Sequence, residues 1–173
     1  MVGVDAASLL AGSFAALDAG YHFTTTVTVD GVEALSAEGD RIGTGSRLTL
    51  TRDGASVAYL ITADGSWTST GDGTWEPLDT APATADPIAA LRAPNSVAVV
   101  TSTPSATTLS VVVPAAALGL ADGTGTTQAT VTVVINDGTL SDLEYTTTQP
   151  GVVAIAHAVI SPIADATPIT APV

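Results

Sequence analysis

Apolar and polar residues alternate along most of this chain, and Asp-Gly pairs interrupt the alternation at intervals. Tyr21, Phe23, Thr25, Val27 and Val29 fall on one side of a period of two, with His22, Thr24, Thr26 and Thr28 on the other. That is the pattern of a half-buried strand. The period recurs over Val32–Asp40 and over Arg47–Arg52, where Leu48 and Leu50 alternate with Thr49 and Thr51. It is clearest in VAYLITADGSWTSTGDGTWEP, from Val57 to Pro77. There Val57, Tyr59 and Ile61 form a strand and Ser66–Thr70 returns with Trp67. The turn Gly71-Asp72-Gly73 then leads to Trp75 and a stop at Pro77. Further strands are predicted over Val97–Thr101, Thr108–Val113, Gln128–Ile135, Thr139–Thr147 and Val152–Ser161.

Asp-Gly occurs at Asp30, Asp53, Asp64, Asp72, Asp122 and Asp137. Gly accepts positive φ and Asp tolerates it, so these pairs make hairpin turns between strands. Consecutive hairpins give an antiparallel meander, because parallel strands need long crossovers. Arg41–Ser46 reads as a loop or bulged edge. Thr80–Ala85 and Pro114–Gly125 read as loops, Gln149-Pro150-Gly151 as a turn, and Asp165–Val173 as a tail.

Two segments switch to the helical period. Asp5 is an N-cap, Leu10, Phe14 and Leu17 share one face, and Gly20 is a stop, which predicts a helix over Ala6–Ala19. Asp86-Pro87 opens a second helix with Ile88 and Leu91 on its apolar side and Pro94 at its end.

About ten strands and two short helices predict an α+β fold. Its antiparallel sheet is expected to be strongly curved with the helices on its concave face, since many strands in one sheet curl under their own twist. So thin a helical cover leaves room for a cavity. One domain is expected over residues 1–173, with 1–4 and 166–173 as loose ends.

Charge narrows the class of partner. The net charge is −13, with four arginines and no lysine. Nucleic acid and anionic lipid headgroups both require a cationic face, so neither is an expected docking partner. There is no cysteine, which removes disulfides, thiolate catalysis and cysteine-ligated metals. No apolar run approaches the ~18 residues of a membrane span. No signal peptide is visible in the sequence, and an export signal or anchor is expected to have been removed.

No catalytic constellation is legible. His22 and His157 are the only imidazoles and neither sits at metal-binding spacing. No G-x-S-x-G elbow is present. GTGS and DGTG match neither phosphate-binding loop, and Asp122 and Asp137 lack calcium-loop spacing. The expectation is a non-enzyme with no catalytic residue, metal or cofactor.

Several segments in their order resemble the mycobacterial and actinobacterial LppX/LprG-type lipoproteins, a LolA-like lipid-carrier family. They are the opening helix before long antiparallel strands, ADGSWTSTGDGTWEPLD, ADPIAALRAPNSV, VVVPAAALGL followed by ATVTVVINDGTLSDLEY, and AHAVISPIADATPITAP. The order covers nearly the whole chain, although each motif is short and tolerant. Family members are acylated on an N-terminal cysteine, which this sequence lacks. The resemblance implies a half-barrel over helices with an apolar cavity for the acyl chains of lipids or glycolipids. It also implies a non-catalytic carrier in the cell envelope, exported and anchored through a lipidated N-terminus absent here, with an envelope transport partner and a monomeric state. Cavity residues in that family are generic, so lining candidates come from the periodicity of this chain. They are Leu10, Phe14, Phe23, Leu50, Tyr59, Ile61, Ile88, Leu91, Val111 and Val133. Plain core packing is the competing role for each. Two other readings stand beside the carrier: a structural or adhesive β-domain with a solid core, and an envelope sensor domain that binds a regulatory protein.

Overall fold

Eleven antiparallel strands follow one another along the chain in this computed structural model, which describes residues 5–81, 86–118, 128–149 and 152–173. They are β1 (Tyr21–Val29), β2 (Val32–Ile42), β3 (Gly45–Arg52), β4 (Ala55–Thr62), β5 (Gly65–Ser69), β6 (Glu76–Leu78), β7 (Ser96–Ser102), β8 (Ala106–Pro114), β9 (Gln128–Asn136), β10 (Thr139–Gln149) and β11 (Val152–Pro162). The helices are α1 (Ala6–Gly12) and α2 (Pro87–Leu91), with 3-10 turns at Ala15–Leu17 and Ala115–Leu118.

All eleven strands belong to one sheet of order β6-β5-β4-β3-β2-β1-β11-β10-β9-β8-β7. The order is linear and leaves β6 and β7 as edges. The sheet is neither closed nor strongly curled, so the expected strongly curved half-barrel gives way to an open antiparallel sheet. The expected single meander is two, β1–β6 and β7–β11, joined where β1 neighbours β11, with the consecutive strands β6 and β7 at opposite edges. No helix among the described residues is long and apolar enough to cross a membrane.

Turn chemistry explains most connections. Asp30, Asp53 and Asp137 take φ of 49°, 51° and 47°, and the glycine after each takes 80°, 77° and 81°. Two consecutive positive φ values are the type I′ turn, whose twist matches that of the flanking strands. The expected loop at Arg41–Ser46 is shorter than predicted: Arg41 pairs with Ser46 and Ile42 with Gly45, so only Gly43-Thr44 turns. Likewise β4 and β5 are joined by Ala63-Asp64, because Gly65 already pairs with Thr62. Pro77, expected as a stop, lies inside β6 opposite Trp67. An edge strand tolerates a residue with no N–H to donate. Asp122 and most of the predicted Pro114–Gly125 loop lie outside the described residues, as do Pro150 and Gly151 of the last predicted turn.

Two bulges reset the side-chain alternation. Val27 pairs with Leu35 but Thr28 with Glu33, so Ala34 is an extra residue in β2. Leu140 pairs with Ile135 but Asp142 with Val134, so Ser141 is an extra residue in β10. That insertion lets Leu140 and Leu143, three residues apart, both reach the core with Tyr145.

The chain gathers into two compact units. The first comprises Met1–Ala16 with Ala83–His157 and holds most of the core. Leu109, Val111 and Val113 on β8, Val131, Val133 and Ile135 on β9, and Leu140, Leu143 and Tyr145 on β10 are buried at alternate positions. The helices belong to this unit: α1 lies against β7, and α2 against β8 and the 3-10 turn at Ala115–Leu118. The Asp86 carboxylate accepts from Ala89 N (3.1 Å), with Pro87 at the first turn, as the Asp-Pro pair predicts. Arg92 covers the Phe14 ring at 4.7 Å from its centroid. The first helix is shorter than the predicted Ala6–Ala19. Gly12 is a weak helix former, and the Ser13 hydroxyl donates back to Leu10 O (2.7 Å), which favours chain exit.

The second unit comprises Leu17–Pro82 with Ala158–Val173, and is built from β1–β6, the end of β11 and the C-terminal tail. Its buried apolar set is smaller: Leu17, Tyr21, Leu48, Leu60, Ala158 and Ile160. The tail, expected to be loose from residue 166, is in contact with the sheet. A Cβ added to Gly45 would lie 2.9 Å from Ile169 Cβ, and one on Gly20 3.5 Å from Ala166 Cβ.

Candidate functional site

Cross-strand register decides which residues of the second unit share a face, since directly opposed residues in an antiparallel pair project to the same side. One row runs Tyr21, Arg41, Ser46, Ile61, Ser66 and Leu78. The next runs Phe23, Gly39, Leu48, Tyr59 and Thr68, and the third Thr25, Ala37, Leu50 and Val57. Val27 and Leu35 close the set. This is an apolar face, and it is incompletely covered: Phe23, Val27, Leu35, Leu50, Val57, Tyr59 and Ile61 are all only half-buried. Gly39 sits in its middle, where a side chain would strike the backbone of β3: an added Cβ would overlap Arg47 O. Such a glycine marks close strand approach or a local bend.

One end of the face is sealed. Ser46 is 4% exposed and its hydroxyl has no hydrogen-bond partner among the described residues. Its neighbours across the ladders are Arg41 and Ile61.

The ten predicted lining residues separate into two sets. Phe23, Leu50, Tyr59 and Ile61 lie together on this half-buried face. Leu10, Phe14, Ile88, Leu91, Val111 and Val133 lie in the core of the first unit and are at most 4% exposed. Val133, for example, stands between Leu109 and Leu143.

The opposite face of the second unit is mixed: one row runs His22, Asp40, Arg47, Leu60 and Trp67, with Leu60 buried. His22 and Asp40 are paired across β1 and β2, and His22 Nδ1 lies 2.8 Å from Asp40 Oδ1. Arg47 Nη2 donates to Asp40 Oδ2 at 2.8 Å, and His22 Nε2 lies 3.4 Å from Glu38 Oε1. Partial burial acts to raise the pKa of Asp40. The hydrogen bonds and positive charge of Arg47 and His22 outweigh it and hold the carboxyl below its ordinary 3.8. Asp40 and Arg47, with Ile42 and Leu60, form one wall of a half-open cleft of about 320 Å³. Tail residues Ile163, Asp165, Thr167, Pro168, Ile169 and Thr170 form the other. This cluster was not predicted from the sequence, where His22 stands alone in its neighbourhood. The second imidazole, His157, has its Nε2 3.5 Å from Asp142 Oδ1.

Among the described residues, no group of three or more His, Cys, Asp or Glu is arranged to hold a metal ion. Compared with known proteins, the chain matches no protein-family model and no curated protein.

Proposed function

We propose that the protein is a non-catalytic lipid-binding protein that holds the acyl chains of a lipid or glycolipid against the apolar face of β1–β4. The observation that carries this reading is the incomplete burial of Phe23, Leu50, Tyr59 and Ile61 on one face, together with Val27, Leu35 and Val57. An acyl chain gains about 0.8 kcal/mol for each CH₂ removed from water, so a half-covered apolar sheet face suits it well. In this reading the six candidates of the first unit shape and stabilise the fold, and the four on the half-buried face touch the ligand.

The element order that resembles the LppX/LprG-type lipoproteins supports placing this activity in the cell envelope. It supports export, an N-terminal lipid anchor outside this sequence, and handover of lipid to an envelope transport partner. A structural or adhesive β-domain is the second reading. The sealed core of the first unit favours it, since Leu91, Leu109, Val111, Val113, Val131 and Val133 are fully buried.

Titration of the purified protein with a fluorescent long-chain fatty acid separates the two. The carrier reading expects saturable binding that Leu50→Lys weakens and Thr49→Lys, on the opposite face, leaves unchanged. An absence of saturable binding by the unaltered protein favours the structural domain.

A further inference from the structure

The two edges of the sheet are built differently. The β6 edge is three residues long and carries Glu76 and Pro77. Shortness, charge and proline are the usual protections of a free edge against pairing with another chain. The β7 edge has none of these three, although its ladder with β8 carries a bulge at Val100. Its seven residues, Ser96-Val97-Ala98-Val99-Val100-Thr101-Ser102, contain no charge and no proline. Six of the seven are exposed, Val100 to 59%. Among the described residues β7 pairs only with β8.

Two features point to a second copy of this chain as the occupant of that edge. The strand is close to self-complementary when read antiparallel about Val99: Ser96 meets Ser102, Val97 meets Thr101, Ala98 meets Val100, and Val99 meets itself. A two-fold interface uses the same patch on both partners, so a residue i that meets j is matched by j meeting i, and here those pairs set small and β-branched residues against one another. Charge supplies the second. The chain carries −13 overall, yet no charged residue occurs between Arg92 and Asp122. Two copies that meet along β7 bring no charged residue of this stretch against another, so the pairing avoids like-charge repulsion within the strand.

We propose that the protein forms a two-fold dimer by antiparallel pairing of β7 with β7 of a second copy, in place of the expected monomer. The pairing satisfies backbone N–H and C=O groups on both edges and covers Val99 and Val100 from water. The register shift between Val99 and Thr101, where Val100 bulges from the β7–β8 ladder, adds twist to the edge and limits the run of regular pairs.

Sedimentation equilibrium from low-micromolar to sub-millimolar protein tests the proposal, with Val100→Lys as the disrupting variant and Glu76→Lys as the control at the other edge. Val100 is exposed, so far-ultraviolet dichroism should show an intact fold. The expected result is a mass that rises to twice that of the chain for the unaltered protein and Glu76→Lys, and stays at one chain for Val100→Lys. Hydrogen exchange on the unaltered protein reads the same edge without a substitution: β7 amides should exchange more slowly at high concentration. A monomer across the whole range overturns the proposal. So does a dimer that Val100→Lys leaves intact, or one whose β7 amides gain no protection.

Discussion

Ile169 of the tail rests on the bare backbone of Gly45, with no room for a methyl group between them: an added Cβ would lie 2.9 Å from Ile169 Cβ. The contact fixes the tail on the His22–Asp40 side of β2–β4, where it forms one wall of the cleft opposite Asp40, Ile42, Arg47 and Leu60. Gly45→Ala should therefore displace the tail and cost about 1–3 kcal/mol, as overpacking does. Ile169→Ala should recover part of that loss in the double variant. Denaturant unfolding of the four proteins of this cycle measures the coupling, which should differ from additivity if the two residues touch.

Ser46 offers the opposite sign. Its buried hydroxyl has no partner among the described residues, and an unsatisfied polar group costs more than an apolar one of the same shape. Ser46→Ala should leave the protein at least as stable as before, by up to about 1 kcal/mol. Loss of stability in a thermal melt would mean that the hydroxyl is hydrogen-bonded after all.

The Asp40 pairings give a defined pH dependence. The carboxyl is held below its ordinary 3.8 in the folded chain. Its contribution is therefore complete above that value and is lost as pH falls through the lower, folded value. Asp40→Asn should be less stable at neutral pH by roughly 0.5–1 kcal/mol, the range of a partly exposed pair. The gap to the unaltered protein should close as unfolding is measured at pH below about 4.

The two sets of lining candidates should behave differently on substitution. Leu91 is fully buried among α2 and β8, so Leu91→Ala should cost about 2–5 kcal/mol. Phe14→Trp should cost about 1–3 kcal/mol through overfilling. Neither should change lipid affinity while the protein remains folded. Tyr59→Lys, on the half-buried face, should do the reverse and weaken acyl-chain binding with a smaller effect on stability. Parallel chemical denaturation and fatty-acid titration distinguish these outcomes.

Local signals were legible in the sequence and non-local ones were not. Asp30-Gly31, Asp53-Gly54 and Asp137-Gly138 form the turns their chemistry demands, and the Asp5 and Asp86 caps start the two helices. The period of two placed Phe23, Leu50, Tyr59 and Ile61 each on the apolar side of its own strand, but that the four share one face comes from the cross-strand register. The His22–Asp40–Arg47 cluster was hidden by one residue. A regular hairpin closed by Asp30-Gly31 sets His22 opposite Gly39. The bulge at Ala34 shifts the register so that Asp40 faces it instead. Nothing in the local pattern Val32-Glu33-Ala34-Leu35 announces that insertion. The docked tail was also illegible, because the reason Gly45 is a glycine lies more than a hundred residues further along the chain, at Ile169.

Native mass spectrometry of protein purified under mild conditions from a host that exports it tests the central claim most directly. Binding of acyl chains to the β1–β4 face predicts a discrete adduct with the mass of a phospholipid or glycolipid, released by organic extraction and diminished in Leu50→Lys. A chain that stays free of lipid, even after incubation with an extract of host lipids, would contradict it.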